Sequence, residues 1–373
     1  MNESTWTKST GVPAPRDSAD TPDEPLEGVN RVALDRYLDD VVPELGPAAS
    51  RTMRLLKGGR SNLTYVIEGA GHTIVLRRPP LGDLLPTAHD MWREYRVQAA
   101  LAAVGYPVAG PVAFCDDRSI TGTDFYLMPF VAGLVIDDVP DVPALTPADG
   151  HTLSVRLMES LAALHAVDLE SAGLSDFGRA DGYLQRQVTR WTSQWAKSKT
   201  RPIPELDELA RRLRKSMPAG TQDAAIVHGD FRFGNILVGP APEFEVRAVL
   251  DWELSTLGDP VADLGFTLAH WREEGGPLLA GDPSFVVPQE GFLSRLEMAE
   301  EYARVSSRDI SQIDYYAVLA CFKTAVIFEG IYARHLSNDT VGDYFDDAGE
   351  RVNFFIERAL YIASRSSLPH LKG

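Results

Sequence analysis

The sequence predicts an α+β protein of two lobes, a small antiparallel β-sheet lobe followed by a larger, mainly helical lobe. Residues 53–78 alternate in polarity, are rich in strand-forming residues and contain a hairpin turn at Gly69-Ala70-Gly71. Most of the chain after residue 147 has the apolar periodicity of helices. A short hairpin at 236–250 interrupts that helical region. A cleft between two such lobes is where a ligand is expected.

The division of the chain follows from the same patterns. Residues 1–28 are rich in Ser, Thr, Pro, Asp and Glu and have no apolar periodicity, which predicts a disordered or loosely docked tail. The N-terminal lobe is predicted over 29–131 and the helical C-terminal lobe over 132–373. Inside the N-terminal lobe, a helix is predicted over 91–104, and two further strand candidates follow it.

Composition and charge argue against several classes of protein. The 373 residues include 36 Lys and Arg against 53 Asp and Glu, which gives a net charge of −17. Binding to nucleic acid or to an anionic membrane surface needs clustered cations, so neither is expected. The two cysteines, Cys115 and Cys321, form no C-x-x-C pair, which argues against a disulfide framework or a zinc site.

No segment predicts secretion or a membrane span. The first 25 residues are polar and contain four prolines, unlike a signal peptide. The longest apolar helical run, 315–328, is too short to cross a bilayer and contains Lys323. We therefore expect a soluble, cytoplasmic protein with no membrane partner. The oligomeric state does not follow from the sequence.

Two short stretches contain side chains suited to chemistry. Residues 228–235 read HGDFRFGN, which has the spacing H-x-D-x-x-x-x-N. Residues 250–260 read LDWELSTLGDP, where an acid follows an apolar, strand-like run. Between them, strands are predicted at 236–238 and 246–250, joined by a loop rich in Gly and Pro. The two stretches therefore flank one hairpin.

The hairpin predicts a site for a hard cation. It brings the Asn235 amide and the Asp251 carboxylate to the same end, and Mg²⁺ prefers such oxygen ligands together with waters and phosphate oxygens. Asp230, five residues before Asn235, is left to face an incoming hydroxyl. Positioning a nucleophile and neutralising phosphates are the roles that phosphoryl transfer requires.

The two motifs resemble the catalytic machinery of the protein-kinase-like superfamily. The longer strings HGDFRFGNILV and LDWELSTLGDPVADLGF are similar to the aminoglycoside phosphotransferase and choline kinase group. The runs RQVTRWTSQW at 186–195 and VLRRPP at 75–80 resemble the branch of that group associated with acyl-CoA dehydrogenases. The resemblance covers residues 30–365, and the two motifs together are far more specific than either alone.

The resemblance implies a two-lobed protein-kinase-like fold and a role for each motif residue. Asp230 is implied to accept or orient the proton of the acceptor hydroxyl, and Asn235 and Asp251 to bind Mg²⁺. His228 is implied to hold the catalytic loop. Arg232 stands where protein kinases have a Lys that touches the transferred phosphate, so it is implied to neutralise charge at the γ-phosphate of ATP. A surface ion pair is the alternative for Arg232.

In such folds a glycine-containing loop covers the phosphates of the nucleotide. The candidate is the loop at 58–62, in which Gly59, Ser61 and Asn62 are the implied nucleotide contacts. The loop has only two glycines, so a plain hairpin turn is the alternative.

The third strand departs from the family pattern. Lys57, the one lysine of the small lobe, precedes the loop, and Arg77 stands where the family usually has Lys. Period-two alternation puts Val75 and Arg77 on one face, so Val75 would cover the adenine and Arg77 would reach the phosphates. Glu94, on the predicted helix, is the expected partner of Arg77, or else a solvated side chain. Because Arg78 is adjacent, the register of the strand stays open.

The segment between the predicted lobes supplies the adenine contacts that the resemblance implies. Pro129 has no N–H but can accept a hydrogen bond from the exocyclic amine through its C=O. The N–H of Val131 can donate to the ring, and Met128 would line the back of the pocket. The alternative is an edge strand that passes into a loop.

The resemblance thus implies an ATP- and Mg²⁺-dependent phosphotransferase that moves the γ-phosphate to a hydroxyl of a small molecule. The chain has no A-P-E element, and DWE replaces D-F-G, so a peptide acceptor is disfavoured. An interpretation from another class is a non-catalytic regulator that binds nucleotide. The intact set of Asp230, Asn235 and Asp251 argues against that regulator.

Two classes of acceptor fit the sequence equally. Aminoglycosides are polycations, and the acidic residues that permit them are Glu253, Glu273 and Glu274. A hydroxyacyl-CoA or another metabolite with a hydroxyl is the alternative, and the basic residues that permit an anion are Arg186, Arg190 and Lys197. Global charge does not decide, because recognition depends on local groups.

Several other polar and aromatic residues have a structural interpretation. His165 is predicted to pack at a helix end, and Asp259 and Asp263 are predicted to cap the following helix and brace the catalytic loop. Trp191 and Trp195 lie four residues apart on one helix, which is typical of core positions. They can also form a wall of the acceptor pocket.

Overall fold

The computed structural model describes eight stretches of the chain and two isolated residues, Leu26 and Glu273. The stretches are 28–56, 62–81, 90–136, 145–219, 223–271, 275–277, 291–336 and 347–373 among residues 26–373. They form two compact units, one with the described residues up to Gly133 and Arg247–Glu253, the other with those of Leu134–Val246 and Leu254–Gly373. Most of the predicted tail, the loop residues Gly59 and Ser61, and Glu274 lie outside the described residues.

Helices and strands alternate in the first third of the chain, and helices dominate the rest. The helices are α1 Arg31–Val41, α2 Met91–Ala103, α3 Arg118–Thr121, α4 Pro147–His165, α5 Tyr183–Ser198, α6 Pro204–Lys215, α7 Pro260–Ala269, α8 Arg295–Ser306, α9 Ile313–Leu336, α10 Ala348–Arg365 and α11 Pro369–Lys372. The strands are β1 Thr52–Leu55, β2 Leu63–Gly69, β3 His72–Arg78, β4 Ala113–Cys115, β5 Phe125–Pro129, β6 Leu134–Val135, β7 Ala225–Val227, β8 Ile236–Val238, β9 Val246–Val249 and β10 Thr256–Gly258.

The first unit is built on an antiparallel sheet with the strand order β1-β2-β3-β5-β4. The predicted turn between β2 and β3 is present, and its two central residues, Ala70 and Gly71, have φ of 46° and 80°. Positive φ at both positions matches the right-handed twist of the strands. The register pairs Val66 with Val75 and Thr64 with Arg77, so alternate side chains of β3 share one face of the sheet.

One face of this sheet packs on α1, and α2 follows the hairpin. Leu34 and Leu38 of α1 are buried in the same cluster as Ile67 and Ile74 of the strands. Each such side chain contributes about 1.5–3 kcal/mol by leaving water. Asp90 caps α2, because its carboxylate accepts the N–H of Arg93 at 3.0 Å.

The second unit has its core around α9. This helix packs against α5, α6, α7 and α10. Gly265 of α7 lies against the backbone of Tyr316 of α9, where a Cβ would come within 2.5 Å of the Tyr316 Cβ. The absence of a side chain at Gly265 therefore lets α7 and α9 approach closely.

Helix α9 is longer than the apolar run predicted from the sequence. It has 24 residues and is long and apolar enough to cross a membrane by length and composition. Of its most apolar window, 61% is buried inside the protein, as in the core helix of a folded domain. It is the one helix of the described residues that passes this test, and on its own it is weak evidence for a membrane span.

Four short strands of the second unit form two antiparallel pairs. Strand β7 pairs antiparallel with β10, and β6 pairs antiparallel with β8. The predicted strands at 236–238 and 246–250 correspond to β8 and β9. Strands β6, β7 and β10 were not predicted, because segments of two or three residues are too short to display a period of two.

Helix α7 is capped at both ends by buried side chains. Asp259 precedes it and accepts the N–H of Val261 at 3.0 Å. At the other end, the guanidinium of Arg358 donates to the carbonyls of Ala269 at 2.6 Å and Leu268 at 3.3 Å, and to that of Trp271. Carbonyls at a helix C-terminus lack partners within the helix, so Arg358 satisfies groups that would otherwise be buried alone.

Replacement of Arg358 should therefore destabilise the protein. In Arg358→Met the buried carbonyls at the end of α7 lose their donor, and we expect the free energy of unfolding to fall by about 2–4 kcal/mol. Urea denaturation followed by circular dichroism measures the change.

Arg365→Met is the matched control, because Arg365 lies on the same helix α10 but is exposed. Its effect should stay within about 0.5 kcal/mol, as for most surface substitutions. Equal losses for the two variants would show that the contacts to α7 contribute nothing.

Candidate functional site

The HGD motif forms a loop that begins where β7 ends. The carboxylate of Asp263, on α7, accepts the backbone N–H of His228 at 2.5 Å and that of Gly229 at 2.7 Å. Gly229 has φ of 88°, and a Cβ there would lie 2.9 Å from the Cβ of Leu254. The loop therefore requires glycine at this position and a buried acceptor beneath it.

A chain of buried hydrogen bonds extends from Asp263. His165 lies with Nε2 3.4 Å from Asp263 and Nδ1 2.7 Å from the Tyr302 hydroxyl. Burial lowers the pKa of His165, and Asp263 opposes that change. Burial would raise the pKa of Asp263, but its hydrogen bonds and the neighbouring His165 and His228 hold it below the ordinary value. The Asp263 carboxylate is thus kept ionised as the acceptor for the loop.

Asp230 is held by the side chain of Asn235. The Asn235 amide donates to the Asp230 carboxylate at 2.9 Å and to its backbone carbonyl at 2.8 Å. The other Asp230 oxygen lies 3.3 Å from Nε of Arg232. Both Asp230 and Arg232 have side chains that are 24% exposed, so the pair lies at the edge of the unit. Arg232 therefore pairs with Asp230 itself.

In the first unit, Arg77 joins two carboxylates. Its Nε donates to Glu94 at 2.8 Å, and its terminal nitrogen donates to Asp251 at 2.6 Å. Asn62 also donates to Glu94, at 2.8 Å. Burial would lower the pKa of Arg77, but the neighbouring acids outweigh it and raise the pKa, so Arg77 is a permanent cation. Burial raises the pKa of Glu94, and Arg77 offsets part of that rise.

The register of β3 distinguishes Arg77 from Arg78. Arg78 points to the opposite face, where it donates to the carbonyls of Gly28 at 2.6 Å and Pro79 at 3.1 Å. Arg77 is thus the strand-three cation that contacts Glu94, and Arg78 links β3 to the chain preceding α1. Glu94 is 1% exposed, so it is a buried partner and not a solvated helix residue.

The predicted adenine contacts lie together in the first unit. Val75 pairs in register with Met128, and both are buried in one small cluster. Pro129 is the last residue of β5, opposite Ile74. The N–H of Val131, which follows the strand, has no hydrogen-bond acceptor among the described residues. Their role as adenine contacts stays a prediction.

The residues predicted to bind Mg²⁺ have suitable atoms. Asn235 uses its amide nitrogen toward Asp230, and its carbonyl oxygen accepts no hydrogen bond from the described residues. Asp251 uses one carboxylate oxygen toward Arg77 and has φ of 64°. Carbonyl and carboxylate oxygens fit a hard cation. No cluster of three His, Cys, Asp or Glu occurs in the described part of the chain.

Three helices and the HGD loop enclose a pocket within the second unit. Its walls come from α5, α7 and α9, and include Trp191, Phe266 and Tyr316. Gly229 also lines it, and Lys323 of α9 donates to the Gly229 carbonyl at 3.1 Å. From the sequence, Lys323 was noted only as a charge within an apolar run. A single lysine in a 24-residue core helix was the signal that could have identified it.

The other residues considered from the sequence fall into structural positions. Trp191 lines the pocket, whereas Trp195 is buried in the core and donates to Asp207 at 2.8 Å. Glu273 forms an ion pair with Arg295 at 3.2 Å.

The chain matches known proteins in sequence and in structure. A family model described as "Phosphotransferase enzyme family" matches residues 52–282. Acyl-CoA dehydrogenase family member 11 from Gallus gallus is 36% identical over 347 residues, which cover 91% of this chain and 44% of that protein. The chain therefore spans less than half the length of that curated relative.

Two crystal structures have the same fold. A Ralstonia eutropha JMP134 protein, named as an aminoglycoside phosphotransferase, is 32% identical with a TM-score of 0.77, and the match covers 91% of this chain and 99% of that one. Spectinomycin phosphotransferase in complex with ADP and spectinomycin is 13% identical with a TM-score of 0.57, covering 90% and 98%. These matches confirm the predicted α+β, protein-kinase-like fold.

The predicted resemblance is therefore confirmed at the level of the family. The family model matches more than half of the chain, and the Ralstonia eutropha structure matches nearly all of it. The chain belongs to the phosphotransferase enzyme family, with the aminoglycoside phosphotransferase fold.

Proposed function

We propose that the protein is an ATP- and Mg²⁺-dependent phosphotransferase that moves the γ-phosphate to a hydroxyl of a small molecule. The observation that carries the proposal is the Asp230 carboxylate, held at 2.9 Å by the Asn235 amide in a loop anchored on buried Asp263. A carboxylate fixed in this way is preorganised to orient a hydroxyl. Family membership supports a small-molecule kinase.

In the proposed reaction Asp230 is the catalytic residue. The acceptor oxygen forms a bond to the γ-phosphorus, and the bond from that phosphorus to its bridging oxygen breaks. The hydroxyl proton passes to the Asp230 carboxylate, and ADP leaves. Arg232, 3.3 Å from Asp230, supplies a positive charge beside the carboxylate and is proposed to neutralise the transferred phosphate.

Asn235 and Asp251 are proposed to hold Mg²⁺. When bound, Mg²⁺ neutralises phosphate charge during transfer. Arg77 is proposed to bind the α- and β-phosphates, and Glu94 orients its guanidinium from behind. The fork of Arg suits phosphate oxygens, which explains how it can replace the usual Lys.

The remaining nucleotide contacts stay as the sequence predicts them. Pro129 and Val131 are proposed to hold the adenine through their backbones, with Val75 and Met128 against the ring. The loop residues Gly59, Ser61 and Asn62 are proposed to cover the phosphates. Asn62 also donates to Glu94, so it links this loop to the strand-three cation.

The acceptor is a small molecule with a hydroxyl group. An aminoglycoside is one proposal, and the fold shared with aminoglycoside phosphotransferases supports it. A hydroxyl of an acyl-CoA derivative is the other, and the curated relative of the acyl-CoA dehydrogenase family supports it. The test is ADP release with Mg²⁺ across a library of hydroxyl compounds. ATP binding without transfer to any acceptor would favour the nucleotide-binding regulator instead.

Asp230→Asn should separate catalysis from binding. The substitution keeps the shape of the side chain and removes the proton acceptor, so turnover should fall by at least about 100-fold. ATP affinity, measured by calorimetry, should stay within about threefold, because Asp230 is not proposed to touch the nucleotide. Near-parental turnover would refute the catalytic role of Asp230.

Asp251→Asn is the matched comparison. This variant weakens a proposed metal ligand and releases the bond to Arg77, so Mg²⁺-dependent nucleotide binding should be lost together with turnover. Nucleotide affinity that does not change with Mg²⁺ in the parent would contradict the metal assignment.

Arg77→Met should weaken ATP binding and turnover together, each by about tenfold or more, because a charge-assisted contact to phosphate is lost. Calorimetric titration with a non-hydrolysable ATP analogue measures the affinity. Arg77→Lys should recover part of the loss, since it keeps the charge but not the fork.

Two controls accompany the Arg77 variants. Arg78→Met should lower stability through its lost carbonyl contacts and leave the ATP affinity of the folded protein within about threefold. Arg118→Met, at an exposed ion pair with Asp124, should change neither quantity. A larger loss of affinity in Arg78→Met than in Arg77→Met would contradict the assignment of the strand-three cation.

A further inference from the structure

The pocket of the second unit contains a half-buried cation that the proposed reaction does not use. The Lys323 ammonium lies 4.9 Å from the ring centre of Phe266 and 5.9 Å from that of Trp191. Its one hydrogen bond within the described residues goes to the Gly229 carbonyl at 3.1 Å. An ammonium group has three donors, so Lys323 retains donor capacity inside the pocket.

No acidic side chain forms an ion pair with Lys323 in the part of the chain that the structure describes. Burial lowers the pKa of Lys323, while the negative charges of Asp230 and Asp263 oppose that change. Both Asp263 oxygens already accept backbone N–H groups from the HGD loop. An ammonium group that is shielded from water and has only one hydrogen bond is stabilised by an anionic or carbonyl oxygen that enters the pocket.

Apolar side chains form a large part of the remaining pocket wall. One face of α9 presents Leu319 and Ala320 one turn before Lys323, and aromatic rings from α5 and α7 face them. The Trp191 indole is fixed by a hydrogen bond to Gln187 at 2.9 Å. Apolar walls beside a few polar or charged groups are typical of small-molecule sites, in which the polar groups set the orientation of the ligand.

The pocket lining includes one acid, Asp263, whose oxygens already accept N–H groups of the HGD loop, and two cations lie at the Trp191 ring. Arg190 stacks on the ring of Trp191 at 5.2 Å, and its charge further opposes protonation of Lys323. A cationic group placed beside Lys323 and Arg190 would be repelled, which weakens binding. An anionic group at the same place would be attracted, which strengthens binding.

We propose that this pocket is the acceptor site and that Lys323 is its specificity-determining residue. Its ammonium binds a carboxylate or carbonyl oxygen of the acceptor, with the carbon chain against Trp191 and Leu319. Gly229 lines the pocket and Asp230 is the next residue, so the acceptor hydroxyl lies beside the proposed catalytic carboxylate. The proposal rests on the proposed function and assigns the acceptor to hydroxylated carboxylates or acyl compounds, not to polycations.

The first test compares matched acceptors. With 5-hydroxypentanoate, 5-amino-1-pentanol and the neutral 1,5-pentanediol, the hydroxy acid should have the highest kcat/KM. In Lys323→Met its advantage over the diol should fall by about 10-fold to 100-fold, the range for one charge-assisted hydrogen bond. The ratio cancels any general effect of the lost Gly229 contact on the loop. An unchanged ratio overturns the proposal.

A second measurement needs no catalysis. Ligand-observed NMR titration of the parent with hexanoate and with hexylammonium should give tighter binding of hexanoate, and Lys323→Met should remove that preference. Tighter binding of hexylammonium by the parent overturns the proposal even if the variant does not fold. Hexanoate binding without any phosphate transfer would leave the pocket assigned and the proposed function refuted.

Lys215→Met controls for net charge. Lys215 is exposed at the end of α6 and does not line the pocket, so this variant changes the total charge by the same amount. It should bind hexanoate as the parent does. Equal losses in Lys215→Met and Lys323→Met would show that only long-range charge matters, which overturns the local site.

Discussion

The buried carboxylate of Asp263 is the constraint on which the catalytic loop depends. An ionised carboxylate inside a protein needs donors, and here it takes two backbone N–H groups of the HGD loop and faces His165. The same bonds satisfy amide groups that would otherwise be buried alone. The loop thereby acquires one defined shape, with glycine at position 229 as the residue that can adopt it.

Helix α7 links the HGD loop to the core of the second unit, because it carries Asp263 and packs against α9. It carries Asp263 one turn from its capped N-terminus, and Arg358 satisfies the carbonyls at its other end. Gly265 brings α7 against α9, whose apolar face forms the centre of the second unit. The position of the loop is therefore decided by helix packing and not by the loop's own residues.

The first unit and the pocket of the second unit each contain a half-buried cation, with different surroundings. Arg77 is enclosed by the carboxylates of Glu94 and Asp251, so its charge is compensated inside the protein. Lys323 lies against aromatic faces and donates to one carbonyl, and among the described residues it forms no ion pair, although Asp230 and Asp263 contribute negative charge nearby. A cation paired with two carboxylates fixes the geometry of a site, whereas an ammonium with spare donors can bind a ligand.

The sequence by itself determined the fold class, the hairpin of the small sheet, and the H-x-D-x-x-x-x-N spacing that relates Asp230 to Asn235. Those features are local, because turn residues and side-chain periods act within a few residues. Only the tertiary structure decided between Arg77 and Arg78, since strand pairing sets which side chains share a face. The structure also brought Lys323 to Gly229, 94 residues apart in the chain, and Asp263 to His228, 35 residues apart. No local pattern encodes such pairs, because packing of helices against one another creates them.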